Sequence, residues 1–272
     1  MYKKKISYLL HSLTSFILML ITVRLLDLLM GDIAGGVIDP YLSSLIVFII
    51  SSAAAVLVFY IMPKDITPED TAEISDPVPP MTKRDIPSCV TFTVIALCFM
   101  IGLMYAVSAF LGDGIDSSYT FTPVYFISLV IIHPAVEEFL FRHLYYEELR
   151  QLTPVFAVVA QATMFAIDHN TVGAMFNALF CGIVLGALVE STGRWYVAIA
   201  AHALMNLRSL LYITVLADFS AVRTAVDIAV CVIGITALAV QIARSGKKKK
   251  DIPSDDCDTP DNSDSSIQES DK

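Results

Sequence analysis

Long apolar runs recur along this chain and restrict its fold more than any other feature. A helix needs roughly 20 apolar residues to cross the hydrocarbon core of a bilayer, and runs such as 6–30, 37–62 and 195–217 reach or exceed that length. Only 17% of the 272 residues are charged and 56% are hydrophobic, whereas soluble domains average about 25% charged residues. The sequence therefore predicts a polytopic membrane protein.

The apolar pattern predicts an all-α fold, a polytopic transmembrane helical bundle of about eight spans. Their approximate ranges are 6–30, 37–62, 88–112, 121–147, 154–169, 171–190, 195–217 and 221–243. Lysine and arginine in short loops mark the cytosolic side of a membrane. They cluster at Lys3–Lys5, between the second and third spans, and at Lys247–Lys250. We therefore expect both termini to be cytosolic.

The domain organisation follows from the same pattern. The net charge of −9 comes mostly from the segment 251–272, which is rich in aspartate and contains a single lysine. Low hydrophobicity with high charge is typical of disorder, and nothing in the composition indicates a nucleic-acid partner. We predict N-terminal transmembrane helices over 1–120, a catalytic core over 121–217, a last transmembrane helix over 218–246 and a disordered acidic cytosolic tail over 247–272.

Some charges within the spans have structural explanations. Arg24 and Asp27 lie three residues apart on the first predicted helix, so we expect them to pair. Asp227 lies near the outer end of the last span, where we expect it to reach water.

The stretch HPAVEEFLFRHL, residues 133–144, places three further charges in an apolar span. Ionisable groups in spans are expensive and usually functional. Glu138 and Arg142 are four residues apart and can neutralise each other on one helix face. Glu137 points about 100° away, without a cation at the same spacing. This division predicts a bracing pair and a separate carboxylate that is free to act as a general base.

Three polar residues on other spans are expected at the level of Glu137. Glu137 and His169 lie on opposite sides of the turn near residue 153 and are equally far from it in sequence. Asn206 is nearly as far from the turn near residue 192, and His202 shares its helix face one turn earlier. Equal separations from a turn give equal heights in antiparallel helices, so these four side chains are predicted to share one intramembrane cavity.

The ordered motifs resemble those of a known family. EEFLFR (Glu137 to Arg142), FAIDH (Phe165 to His169) and HALMN (His202 to Asn206) are similar to the EExxxR, FxxxH and HxxxN motifs of the CPBP intramembrane proteases. That family includes type II CAAX prenyl endopeptidases and the Abi proteins linked to bacteriocin processing and immunity. The resemblance covers roughly residues 120–215 and implies peptide-bond cleavage inside a membrane-embedded cavity.

The resemblance also implies roles for the individual residues. Glu137, assisted by His169, would activate a water molecule, and His202 and Asn206 would stabilise the oxyanion. Glu138 and Arg142 would support the base, and Phe165 belongs to the second motif. The need for a metal is open. Glu137, His169 and His202 could ligate zinc as a His₂Glu set, but the HExxH motif of zincins is absent.

The expected partners are the lipid bilayer and a membrane peptide or lipidated protein substrate, in a multi-pass protein of the plasma membrane. Two other interpretations stay open. A non-catalytic immunity or peptide-binding protein could retain the same residues. A transporter could use Glu137 and the histidines as a proton relay, although the sequence shows no internal repeat.

Overall fold

The fold is described from a computed structural model over residues 2–33, 38–63, 121–215 and 219–250, with short helical pieces at 86–87, 90–91, 93–95, 97–98 and 100–102. Every regular element in these ranges is a helix. The helices are α1 (Tyr2–Ile33), α2 (Pro40–Ile61), α3 (Pro123–Leu149), α4 (Pro154–Ile167), α5 (Val172–Thr192), α6 (Trp195–Thr214) and α7 (Ser220–Lys250). Parts of the predicted third span and the predicted acidic tail lie outside the described residues.

Five of the described helices, α1, α2, α3, α5 and α6, are long and apolar enough to cross a membrane. This confirms an all-helical, multi-pass membrane protein, while the count of eight spans and the cytosolic termini stay predictions. Helix α4 is shorter than the predicted fifth span, because it ends at Ile167 after 14 residues. At 1.5 Å per residue it measures about 21 Å, less than the ~30 Å hydrocarbon core.

The beginnings of four helices are fixed by local sequence. A side-chain oxygen just before each helix accepts a hydrogen bond from the backbone of the first turn, which otherwise lacks acceptors. Proline occupies the first helical position of α2, α3 and α4, where its missing N–H has no cost. The capping residues are Asp39, Thr122, Thr153 and Thr171.

Helix α3 contains two π-helical segments, Ser128–Ile132 and Phe139–Tyr145. In the first, the N–H of His133 bonds the carbonyl five residues earlier. The next bond in this register would join residue 134 to Leu129, but Pro134 has no N–H. The carbonyl of Leu129 is therefore open to a partner from another helix.

Helix α1 buries one stripe of its surface against the core. The stripe has the helical spacing of three and four residues and consists of Tyr8, His11, Ser12, Ser15, Phe16 and Met19. Ser15 donates to the carbonyl of Ala55 on α2 at 2.8 Å, and Phe16 packs edge-on against Phe141 on α3 with ring centroids 6.2 Å apart. Small residues and hydroxyls thus let α1 and α2 pack closely, as is typical of helices in lipid.

Helices α4 and α5 pack closely where a glycine faces an alanine. A Cβ added to Gly182 would lie 2.7 Å from the Cα of Ala162 and 2.8 Å from its Cβ. Gln161, one residue before this alanine, donates to the carbonyl of Gly182 at 2.9 Å. Helix α5 then ends at Gly193, whose φ of 65° favours glycine. The close approach holds α4 beside α5 although α4 is short.

Asp227 and Arg24, for which the sequence gave structural explanations, make contacts other than the expected ones. Asp227 is buried, and it accepts from Arg208 on α6 at 2.8 and 2.6 Å. The prediction that Asp227 reaches water is therefore wrong, because an ion pair with the neighbouring helix satisfies it. Arg24 donates to Asn170 at 3.3 Å, and no ion pair with Asp27 occurs among the described residues.

The close contact between α4 and α5 leads to a prediction about the stability of a glycine variant. Gly182→Ala should lower the melting temperature in detergent, because its Cβ meets backbone atoms that cannot move independently, and overpacking costs about 1–3 kcal/mol. Gly173→Ala on the same helix is the matched control, since nothing lies within 4 Å of its added Cβ. Equal melting temperatures for the two variants would contradict the close approach.

Candidate active site

Glu138 is the centre of a buried polar network. Its Oε1 atom accepts from Nη1 of Arg142 at 3.0 Å and from Nδ1 of His202 at 2.7 Å. The side chains of Glu138 and Arg142 are both fully buried. The first contact follows the predicted four-residue spacing, whereas the second joins α3 to α6. One carboxylate oxygen therefore connects the EExxxR and HxxxN motifs.

His202 lies between the two adjacent glutamates. With Nδ1 directed at Glu138, its Nε2 atom is 3.6 Å from Oε2 of Glu137. This separation is longer than a direct hydrogen bond. If the Nδ1–H donates to Glu138, the neutral ring has a lone pair on Nε2, and Nε2 can donate only when the ring carries a second proton. His202 is therefore oriented to exchange a proton on the side of Glu137.

Phe165 brings the three motifs together. Its ring lies 4.9 Å from the guanidinium carbon of Arg142. It also makes edge contacts with the rings of His169 and His202, with centroids 5.0 and 5.7 Å apart. A cation over an aromatic face is attracted by the ring quadrupole. Phe165 thus covers one face of Arg142 and sets the positions of both imidazoles.

His169 lies in a turn rather than in a membrane helix. Helix α4 ends two residues earlier, and the backbone N–H of His169 bonds the carbonyl of Ala166 at 3.0 Å. Its Nδ1 atom is 2.9 Å from the carbonyl of Phe165. A carbonyl can only accept, so Nδ1 carries the proton and Nε2 has a lone pair. His169 also interacts electrostatically with His202.

Asn206 is anchored by the carbonyl that Pro134 leaves open. Its Nδ2 atom donates to the carbonyl of Leu129 in the π-helical segment at 2.9 Å. The second N–H and the Oδ1 atom of this amide are not used by that bond. Asn206 thus lies one turn beyond His202 on α6 and contacts α3 separately from the Glu138 network.

His133 is a site neighbour to which the sequence analysis gave no role. Its ring stacks on Phe48 of α2 with centroids 4.0 Å apart, and its Nδ1 atom is 2.9 Å from the carbonyl of Ser128. It also interacts electrostatically with His202. The spacing of four residues between His133 and Glu137 was visible in the sequence. The stacking contact was not, because its partner lies on a helix that is distant in the sequence.

A resident metal does not fit the described side chains. No group of three or more His, Cys, Asp or Glu residues within the described ranges has an arrangement that could hold a metal ion. The Nδ1 atom of His202 is bound to Glu138, so only its Nε2 atom could face a metal ion. The set Glu137, His169 and His202 thus does not form the zinc site that the sequence left open.

A second charged contact closes the end of α3. Arg150 donates from Nε and Nη2 to Glu190 on α5 at 2.9 and 3.1 Å, and Tyr146 donates to the same carboxylate. The hydrogen bond to Glu190 raises the pKa of Arg150 above its ordinary value. Arg150 therefore keeps its charge and fixes α3 to α5 beyond the membrane-spanning segment.

The comparison with protein families agrees with the three motifs. Residues 119–208 match the family described as Rce1-like, type II CAAX prenyl endopeptidase Rce1-like. Neither the curated proteins nor the solved structures contain a significant match to the chain. The matched segment begins just before α3 and ends within α6, so it includes Glu137, His169, His202 and Asn206. Residues 119–208, about a third of the chain, are thus similar to the type II CAAX prenyl endopeptidase family.

Proposed function

We propose that this protein is an intramembrane endopeptidase that hydrolyses a peptide bond of a membrane-associated peptide or protein. The observation that carries the proposal is the network in which Arg142 and His202 bind Glu138, while the other nitrogen of His202 faces Glu137. It supplies a base, a proton carrier and a fixed charge in a buried site. The packing of helices alone would not require these buried ionisable side chains.

Glu137 takes a proton from the attacking water molecule, and the water oxygen forms a bond with the scissile carbonyl carbon. His169 assists by accepting a hydrogen bond from the same water at Nε2, since its Nδ1–H is held by the carbonyl of Phe165. General-base catalysis of this kind contributes about 10²–10⁴-fold in rate. The carbonyl oxygen becomes an oxyanion as the new bond forms.

Asn206 and His202 stabilise that oxyanion. The amide of Asn206 donates its second N–H while the first stays on the carbonyl of Leu129. His202 donates from Nε2 after it receives a proton from Glu137, because Nδ1 remains on Glu138. The N–H of Asn206 is a donor before the reaction begins, so it needs no reorganisation in the transition state. The carbon–nitrogen bond then breaks, and the proton passes to the leaving amine.

The proposed substrate class is supported by the family match and by the membrane setting. Type II CAAX prenyl endopeptidases suggest a lipidated peptide near its carboxyl end, and the five apolar helices favour a site beside lipid. We propose a prenylated or otherwise membrane-anchored peptide as substrate, in the plasma membrane. A bacteriocin-like peptide, or binding without cleavage as in an immunity protein, is the alternative that the assay below distinguishes.

Replacement of the base tests the proposal. Glu137→Gln should abolish cleavage of a panel of farnesylated and unmodified membrane peptides by the purified protein in liposomes, because an amide cannot accept the water proton. His169→Asn should reduce cleavage strongly while its amide can still donate to Phe165. Products are measured by mass spectrometry.

The control for the base is Glu147→Gln on the same helix, since Glu147 is exposed and pairs only with His143 in the described structure. Cleavage that persists in Glu137→Gln at the wild-type rate would refute the assignment of the base. Binding of peptides without any cleavage by the wild type would favour the immunity alternative.

The proposed bracing role of Glu138 leads to a separate prediction about stability. Glu138→Ala should lower the free energy of unfolding by about 3–5 kcal/mol, because it leaves the buried Arg142 without its carboxylate. It should also abolish cleavage. Glu147→Ala removes an exposed pair on the same helix and should change stability by less than about 1 kcal/mol. Thermal unfolding in detergent compares the two, and equal effects would remove the bracing role.

A further inference from the structure

The turn between α4 and α5 carries His169, and its own hydrogen bonds run back to α4. The backbone N–H groups of Asp168 and His169 bond carbonyls in the last turn of α4 at 3.4 and 3.0 Å. The Nδ1 atom of His169 donates to the carbonyl of Phe165, which also belongs to α4. None of these bonds joins the turn to a different helix.

Arg24 on α1 supplies a contact from a different helix. Its Nη2 atom donates to Oδ1 of Asn170 at 3.3 Å. Among the residues that the structure describes, no other hydrogen bond joins residues 168–170 to a helix other than α4. Arg24 also interacts electrostatically with Asp168. One guanidinium therefore acts on the residue before His169 and on the residue after it.

The charge of Asp168 gives this cation a second effect. Asp168 lies in the turn, outside the membrane-spanning helices, where burial raises its pKa to about 6 and Arg24 opposes the rise. Asp168 also interacts electrostatically with Glu137, the proposed base. Two nearby carboxylates repel each other when both are ionised. A cation beside Asp168 reduces that repulsion and attracts the turn toward α1.

The packing of α1 does not explain Arg24. The buried stripe of α1 ends at Met19, and Arg24 is exposed near the C-terminal end of the apolar span Ile6–Met30. A charged side chain in a span is costly and usually has a function. An arginine that served only to reach water would do so with its long side chain, whereas Arg24 donates to the turn beside His169.

We propose that Arg24 is a positioning residue of the active site, which holds the turn 168–170 to α1 and thereby fixes the imidazole of His169 relative to Glu137. Helix α1 lies outside residues 119–208, the segment that matches the family. The site thus takes a support from a helix that precedes this segment. The restraint on the turn is independent of the proposed function, and its effect on cleavage rests on that function.

Hydrogen exchange of the full chain in nanodiscs tests the restraint without a substrate. Arg24→Met keeps a long side chain but removes the donor and the charge. The backbone N–H groups of Asp168 and His169 should then exchange about two- to tenfold faster, as expected for the loss of one hydrogen bond near the surface. Exchange at Ala157, in the first turn of α4, should not change.

The matched control is Asp27→Asn, an exposed position on the same helix, which should leave exchange in the turn at the wild-type rate. Equal exchange of the turn in Arg24→Met and the wild type would overturn the proposal. So would faster exchange of the same size in Asp27→Asn, because the effect would then belong to α1 as a whole.

Steady-state cleavage of the farnesylated peptides tests the effect on His169. Arg24→Met should lower kcat about 10- to 100-fold, the size expected when a catalytic group is misplaced, with KM and melting temperature unchanged. Arg24→Lys should restore most of kcat, since an ammonium group can donate to Asn170. A higher KM with unchanged kcat would make Arg24 a substrate contact instead, and an equal loss in Asp27→Asn would remove its specific role.

A double-variant cycle tests whether Arg24 acts through the turn. Asn170→Ala removes the acceptor of the Arg24 hydrogen bond. Arg24→Met combined with Asn170→Ala should lose less kcat than the sum of the single losses, and additive losses would contradict the proposal. If the wild type cleaves no peptide, the proposed function fails while the exchange result still decides the restraint. Cleavage by the wild type with unchanged exchange in Arg24→Met would overturn only the role of Arg24.

Discussion

The site depends on one carboxylate oxygen that serves two helices. Oε1 of Glu138 accepts from Arg142 on its own helix and from His202 on α6. In hydrocarbon such an oxygen has no water to replace a lost donor, so the two contacts hold each other in place. Because His202 is fixed through Nδ1, only Nε2 is available on the side of Glu137. Glu138 thus determines which nitrogen of His202 faces Glu137 as well as the packing of α3 against α6.

A proline gives the second fixed point between α3 and α6. Without an N–H at residue 134, the π-helical segment leaves the carbonyl of Leu129 for Asn206. π-Helical turns are often found at functional sites, and here the irregularity supplies an acceptor inside the bundle. His202 and Asn206, one turn apart on α6, are therefore each held by a different feature of α3. Two anchors on one helix fix its rotation.

The sequence predicted the helices whose ends are set by neighbouring residues. It also predicted the ion pair between Glu138 and Arg142, which are close in the chain. Glu138 and Arg142 meet because they are four residues apart, and threonine–proline pairs mark where α3 and α4 begin. The contact of His202 with Glu138 rather than with an oxyanion alone was not predictable, since it depends on the rotation of α6. The burial of Asp227 depends likewise on Arg208 from another helix. The length of α4 was overestimated by two residues, because the helix ends at Ile167 and Asp168 and His169 lie in the turn that follows.

The solvent exposure of the side chains increases from one side of the site to the other. Arg142 and Glu138 are fully enclosed and Glu137 is 9% exposed, whereas His169 and Asn206 are only partly buried. A hydrolase in a bilayer must keep its fixed charges away from lipid and still admit a peptide and water. The enclosed side fits the first need, since Arg142 and Glu138 are both 0% exposed. The partly exposed side has Asn206 and His169, the two groups that would touch the substrate in the proposed mechanism. In that mechanism we expect the peptide to approach Glu137 from the side of His169 and Asn206, with Glu138 and Arg142 behind the base.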